Sequence, residues 1–155
     1  MMSEMFCLFL QTVPFTKSFP RELREETMLA ICGSVPEDAK NFVINFQKGE
    51  NAESIAFHFA PCFDGGKERV VYSSKKEKNW APMADKCGAL DMRGKSFKLT
   101  FFFWKNCYQA CLNGKNLLIF DKSEADSEIN AVNIYGNVKV DSLKAFDLRC
   151  VKTGV

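Results

Sequence analysis

Apolar and polar residues alternate along much of this chain with a period of two. In Phe42-Val43-Ile44-Asn45-Phe46-Gln47 one face collects Phe42, Ile44 and Phe46. In Ile55-Ala56-Phe57-His58-Phe59 it collects Ile55, Phe57 and Phe59. Successive side chains of a strand point to opposite faces, so each segment predicts a strand with one buried side. Val70-Val71-Tyr72, Phe97-Lys98-Leu99-Thr100-Phe101-Phe102-Phe103 and Leu117-Leu118-Ile119-Phe120 are further strand-like runs rich in aromatic or β-branched residues. Phe42, Ile44, Phe46, Ile55, Phe57, Phe59, Phe97, Leu99 and Phe101 are the expected lining of the core.

Turn chemistry separates these runs. Asn113-Gly114 precedes the Leu117 run and is the strongest short hairpin signal, because both residues tolerate positive φ. Gly136-Asn137 divides Val132-Asn133-Ile134-Tyr135 from Val138-Lys139-Val140, and Asp64-Gly65-Gly66 leads into the Val70 strand. Strands about every ten residues suit a β-sandwich. Ser123-Glu124-Ala125-Asp126-Ser127-Glu128 is the one helical candidate, at most a turn or two. With no linker, repeat or low-complexity tract, the expectation is one all-β domain over residues 1–155, with a core over about 12–148.

Composition narrows the function classes. The 155 residues can bury a core without staples. Fifteen phenylalanines against three tyrosines and two tryptophans favour strands and a core with few polar handles. A net charge of +2 with interspersed signs gives no pointer to nucleic acid or to an anionic membrane. Met5-Phe6-Cys7-Leu8-Phe9-Leu10 is too short for a membrane span and lacks the flanks of a signal peptide. The seven cysteines (Cys7, Cys32, Cys62, Cys87, Cys107, Cys111, Cys150) are odd in number and scattered, which argues for reduced thiols in a cytoplasmic protein.

The stretch His58-Phe59-Ala60-Pro61-Cys62-Phe63 holds the only histidine. On a strand, His58, Ala60 and Cys62 share one face and the phenylalanines take the other. A rise of about 3.3 Å per residue separates the His58 and Cys62 backbones by roughly 13 Å. A Cys–His dyad needs heteroatoms about 3 Å apart, so no local catalytic pair forms. Cys107 and Cys111 have no second close pair to complete a zinc site. Neither an enzyme nor a cofactor or metal is expected. A polar sheet face beside an aromatic ring is instead how many all-β lectins hold a sugar, the ring stacking on its C–H face.

The wider pattern resembles the galectin family of β-galactoside-binding lectins over nearly the whole chain. Its signature reads H-F-N-P-R-F, V-x-N, W-G-x-E-x-R and P-F-x-x-G-x-x-F. The corresponding residues here are His58-Phe59-Ala60-Pro61-Cys62-Phe63, Val71-Tyr72-Ser73, Trp80-Ala81-Pro82-Met83-Ala84-Asp85 and Leu90-Asp91-Met92-Arg93-Gly94-Lys95-Ser96-Phe97. Ser73 stands seven residues before Trp80 and Gly94 fourteen after it, the family spacing. The resemblance implies a jelly-roll β-sandwich of two antiparallel sheets and a carbohydrate-binding groove at His58, Trp80, Ser73, Cys62, Ala60, Met83 and Asp85. His58 and Trp80 keep the family's imidazole and stacking ring. Ala60, Cys62, Ser73, Met83 and Asp85 replace Asn, Arg, Asn, Glu and Arg.

Two readings follow. One is a lectin of weak or altered galactoside specificity, with glycans or glycoproteins as partners. The other is a galectin scaffold that has lost sugar binding and serves as an intracellular interaction or packing protein. Protein partners and a homodimer are further candidates; nucleic acid and membrane insertion are not. The expected location is the cytoplasm, with the nucleus or export without a signal peptide as further options.

Overall fold

In the computed structural model, residues 2–88, 90–122 and 128–149 are described. Most of the helical candidate, residues 123–127, and Cys150 lie outside them. Among the described residues, thirteen strands form: β1 (Ser3–Gln11), β2 (Phe15–Leu23), β3 (Thr27–Ser34), β4 (Phe42–Lys48), β5 (Ser54–Cys62), β6 (Arg69–Lys76), β7 (Asn79–Trp80), β8 (Ala84–Cys87), β9 (Ser96–Phe103), β10 (Cys107–Leu112), β11 (Lys115–Asp121), β12 (Ile129–Gly136) and β13 (Lys139–Asp147). They make two antiparallel sheets, a six-stranded one in the order β1-β13-β3-β9-β10-β11 and a seven-stranded one in the order β2-β12-β4-β5-β6-β7, with β8 also paired to β6.

The alternation that predicts the strands also sets the core. All nine expected lining residues are 5% exposed or less. Rings from the two sheets meet edge to face between the layers. Phe46 of β4 lies 4.8 Å from Phe101 and 5.1 Å from Phe103, both on β9, and Phe59 of β5 lies 5.1 Å from Phe101 at 89°. Such geometry suits aromatic quadrupoles and adds about 0.5–1.5 kcal/mol per pair beyond burial.

Two turns show how local chemistry joins the layers. Asn113 and Gly114 both take positive φ, 50° and 85°, closing the β10–β11 hairpin as the sequence predicts. Gly136 ends β12 at φ 103°, and a Cβ there would stand 2.6 Å from the Phe42 Cα. The chain then crosses to the other sheet. Asn137 ties this crossing to the residues just before β4, its Oδ1 accepting from the Lys40 amide at 3.0 Å and its own amide donating to the Asn41 carbonyl at 2.8 Å.

The N-terminal apolar run forms the edge strand β1, paired with β13. Phe6 of β1 stacks on Phe19 of β2 at 4.9 Å across the layers, so packing begins before the expected boundary near residue 12.

Phe46 touches Phe57, Phe101 and Phe103. Phe46→Ala should cost about 3–5 kcal/mol of stability, read as a lower urea midpoint with little change in slope.

Candidate functional site

Residues directly opposite one another on antiparallel strands project to the same face. Behind the buried face of the seven-stranded sheet, the outward face carries a continuous polar row. Thr16 pairs with Asn133, Asn133 with Asn45, Asn45 with His58, and His58 with Ser73. The row runs across β2, β12, β4, β5 and β6. Beside it, Ala60 pairs with Val71 and Val71 with Asp85; one row further, Cys62 pairs with Arg69 and Arg69 with Cys87. Lys75 and Trp80 pair at the other side.

His58 and Trp80 meet. Their rings lie edge to face at 5.0 Å and 74°. Trp80 is 43% exposed, which leaves indole surface open to a ligand. His58 is half-buried, and its Nδ1 lies 2.7 Å from the Asn45 Oδ1. Burial pushes the imidazole's pKa below its ordinary 6.5, because loss of hydration disfavours the charged ring. The Lys75 ammonium lies 5.3 Å from the Trp80 centroid, a cation–π contact of about 0.5–1 kcal/mol at an exposed site.

The replaced positions are spread over the same face. Ala60 is buried and Cys62 half-buried, with its thiol 3.6 Å from the Ala60 carbonyl oxygen. Met83 and Asp85 are exposed. Ser73 departs from expectation. It belongs to the expected groove, yet it is fully buried. The 81–82 segment covers it, and its Oγ lies 3.0 Å from the Ala81 carbonyl oxygen and 3.3 Å from that of Pro82. Carbonyls only accept, so the hydroxyl proton is turned to the loop.

Three residues here escaped the sequence reading. Asn45 and Asn133 are joined by a 3.0 Å amide–amide bond that supports His58 from behind. The available signal was their place on the outward face of strands whose neighbours are all apolar. Arg69 sits opposite Cys62 and makes no ion pair with any described residue. Its signal was a lone arginine opening the Val70 strand.

Among the described residues, no group of three or more His, Cys, Asp or Glu side chains could hold a metal ion. No helix among them is long and apolar enough to cross a membrane. A cleft of 480 Å³ lies elsewhere, between Cys87 on β8 and Leu112 and Lys115 at the β10–β11 hairpin, away from His58 and Trp80.

The family model for galactoside-binding lectins matches residues 14–145. The chain belongs to the galectins. It is 27% identical to galectin-8 of Rattus norvegicus over 143 residues, covering 88% of this chain and 44% of that protein. To galectin-7 of Homo sapiens it is 28% identical over 138 residues, covering 88% of this chain and all of the other. It spans less than half the length of the rat galectin-8 and mouse galectin-6 relatives it matches. Among solved structures, Caenorhabditis elegans galectin LEC-6 superposes with a TM-score of 0.78 at 19% identity, over 90% of this chain and 94% of that one. Sheep galectin-11, in complex with glycerol, gives 0.76 at 21% identity over 87% and 98%. The fold is thus the galectin β-sandwich, and this galectin is a lectin-family domain, a family that is not one of enzymes.

The lowered pKa of His58 has a measurable consequence. The unfolded chain takes up the histidine proton first, so as pH falls below about 6.5 the folded state loses stability until its own lower pKa is passed. His58→Gln should flatten that part of the stability–pH curve. Proton NMR should place the His58 midpoint of this galectin below 6.5; a midpoint above it would overturn the burial argument.

Proposed function

We propose that this galectin domain binds glycans with weak or altered specificity, through a site reduced to His58, Trp80 and the positions around them. The contact between His58 and the open Trp80 ring carries this reading. An indole face can stack on the apolar C–H face of a sugar while an imidazole meets a hydroxyl. The family's other grips are gone at Ala60, Cys62, Met83 and Asp85, and Ser73 has turned its hydroxyl to the loop. A hydrogen bond to a charged group is worth about 1.5–3 kcal/mol and a neutral one about 1. Losing several removes most of what a shallow sugar site has to offer. Arg69 lies one strand over from Cys62, where the family keeps one of its two arginines, and we assign it as the remaining guanidinium able to reach a ligand.

A second reading has its own support. Lys75 already sits over the Trp80 ring, as a side chain would in a groove that takes no sugar. On that reading the scaffold is an interaction or packing protein with protein partners, a second copy of the chain among the candidates. In either case we propose a single domain over residues 1–155 that works in the cytoplasm, with the nucleus or export as alternatives.

A glycan array on reduced protein, with lactose competition, separates the two readings. Weak binding of a subset of glycans, lost in Trp80→Ala and reduced in Arg69→Ala, is the result expected of the lectin. No binding to any glycan would leave the interaction protein. Lactose itself should bind weakly or not at all. Ala60→Asn, Cys62→Arg, Ser73→Asn, Met83→Glu and Asp85→Arg introduced together should recover it, whereas single reversions should do little because such charged groups brace one another.

A further inference from the structure

The polar row on the outward face has a direction, and that direction fixes a proton. Asn133 Nδ2 lies 3.2 Å from the Phe15 carbonyl oxygen and 3.1 Å from the Thr16 hydroxyl. A backbone carbonyl can only accept, so the atom facing it must be the amide nitrogen, which settles which way Asn133 is turned. Its Oδ1 then faces β4 and accepts from Asn45 Nδ2 at 3.0 Å. With its nitrogen committed there, Asn45 presents Oδ1 to His58 Nδ1 at 2.7 Å. That oxygen also can only accept. The proton of a neutral imidazole therefore sits on Nδ1, and Nε2 keeps its lone pair. No protein group bonds to Nε2 among the described residues.

We propose that Asn133 and Asn45 are positioning residues that carry the polarity of the Phe15 carbonyl across the sheet and hold His58 in the Nδ1–H tautomer. Nε2 is thereby an obligate hydrogen-bond acceptor. The chain of bonds spans β2, β12, β4 and β5, three interstrand steps of about 4.8 Å. A consequence for recognition rests on the lectin reading above. The ligand group set against Nε2 must donate, as a hydroxyl or an ammonium does, and an ether oxygen, a carbonyl or a carboxylate is rejected there.

The tautomer can be read without any ligand. His58 is the only histidine, so a long-range proton–nitrogen correlation spectrum of the ¹⁵N-labelled full chain reports on it alone. Well above its titration midpoint, Nδ1 should appear at the shift of a protonated ring nitrogen and Nε2 at that of an unprotonated one. Asn45→Asp keeps an acceptor at the same place and should keep this pattern. Asn45→Leu and Asn133→Leu should give a mixture or the reversed form. For any glycan the array captures, Asn133→Leu should lower affinity about five- to tenfold, the equivalent of one net hydrogen bond. Wild-type protein showing an Nε2–H or mixed ring would overturn the inference, even if sugars bind. An Nδ1–H ring in a protein that binds no glycan would leave it standing and remove the lectin reading. Should the leucine variants fail to fold, the wild-type and Asn45→Asp spectra still decide.

Discussion

The register of β5 between β4 and β6 is the constraint on which the rest of this molecule depends. Phe57 and Phe59 must meet Phe46, Phe101 and the other rings between the sheets. A slip of one residue would turn both rings to water and drive His58 into an apolar layer. Each phenylalanine removed from water is worth about 1.5–3 kcal/mol, so the penalty for a slip is several times that of any contact on the outer face. The alignment of Asn133, Asn45, His58 and Ser73 is thus a by-product of aromatic packing. The core places the site without touching it.

That division explains how scaffold and site have parted company. The lining residues answer to a close-packed interior, where one methylene is felt. Cys62, Met83 and Asp85 answer to solvent and to whatever lies against them. Changing them leaves the sandwich intact, so the galectin fold persists at an identity near a quarter. Function resides in the outward rows, and those rows can be rewritten separately.

What the sequence disclosed follows the same line. The strands at 42–47, 55–59 and 97–103 were legible because their two faces differ in polarity. The edge strands were harder. β1 is apolar without a break from Met5 to Leu10, with Phe6 packed inward and Phe9 63% exposed, so the polar–apolar alternation is lost. β2 carries Pro20 and mostly polar residues, which an edge tolerates and a periodicity search passes over. In the site, His58 and Trp80 could be paired through the family spacing. Asn45 and Asn133 could not, because they are 88 residues apart and each alone reads as a solvated strand amide. Ser73 misled for a different reason: alternation assigns a face, and it does not say whether a loop then covers that face.

The covering loop has a consequence for the cost of binding. Ser73 clamps the Ala81 and Pro82 carbonyls, the Ala81 amide donates to the Ser74 carbonyl at 2.9 Å, and Trp80 is held from the other side by its strand pairing with Lys75. The indole therefore stands in place before anything arrives. A partner that lands on it has little side-chain or loop disorder to quench, and each such immobilisation avoided is worth about 0.5–1.5 kcal/mol. By giving up a ligand-facing hydroxyl, the serine leaves the protein with fewer contacts and a stiffer platform on which to make them.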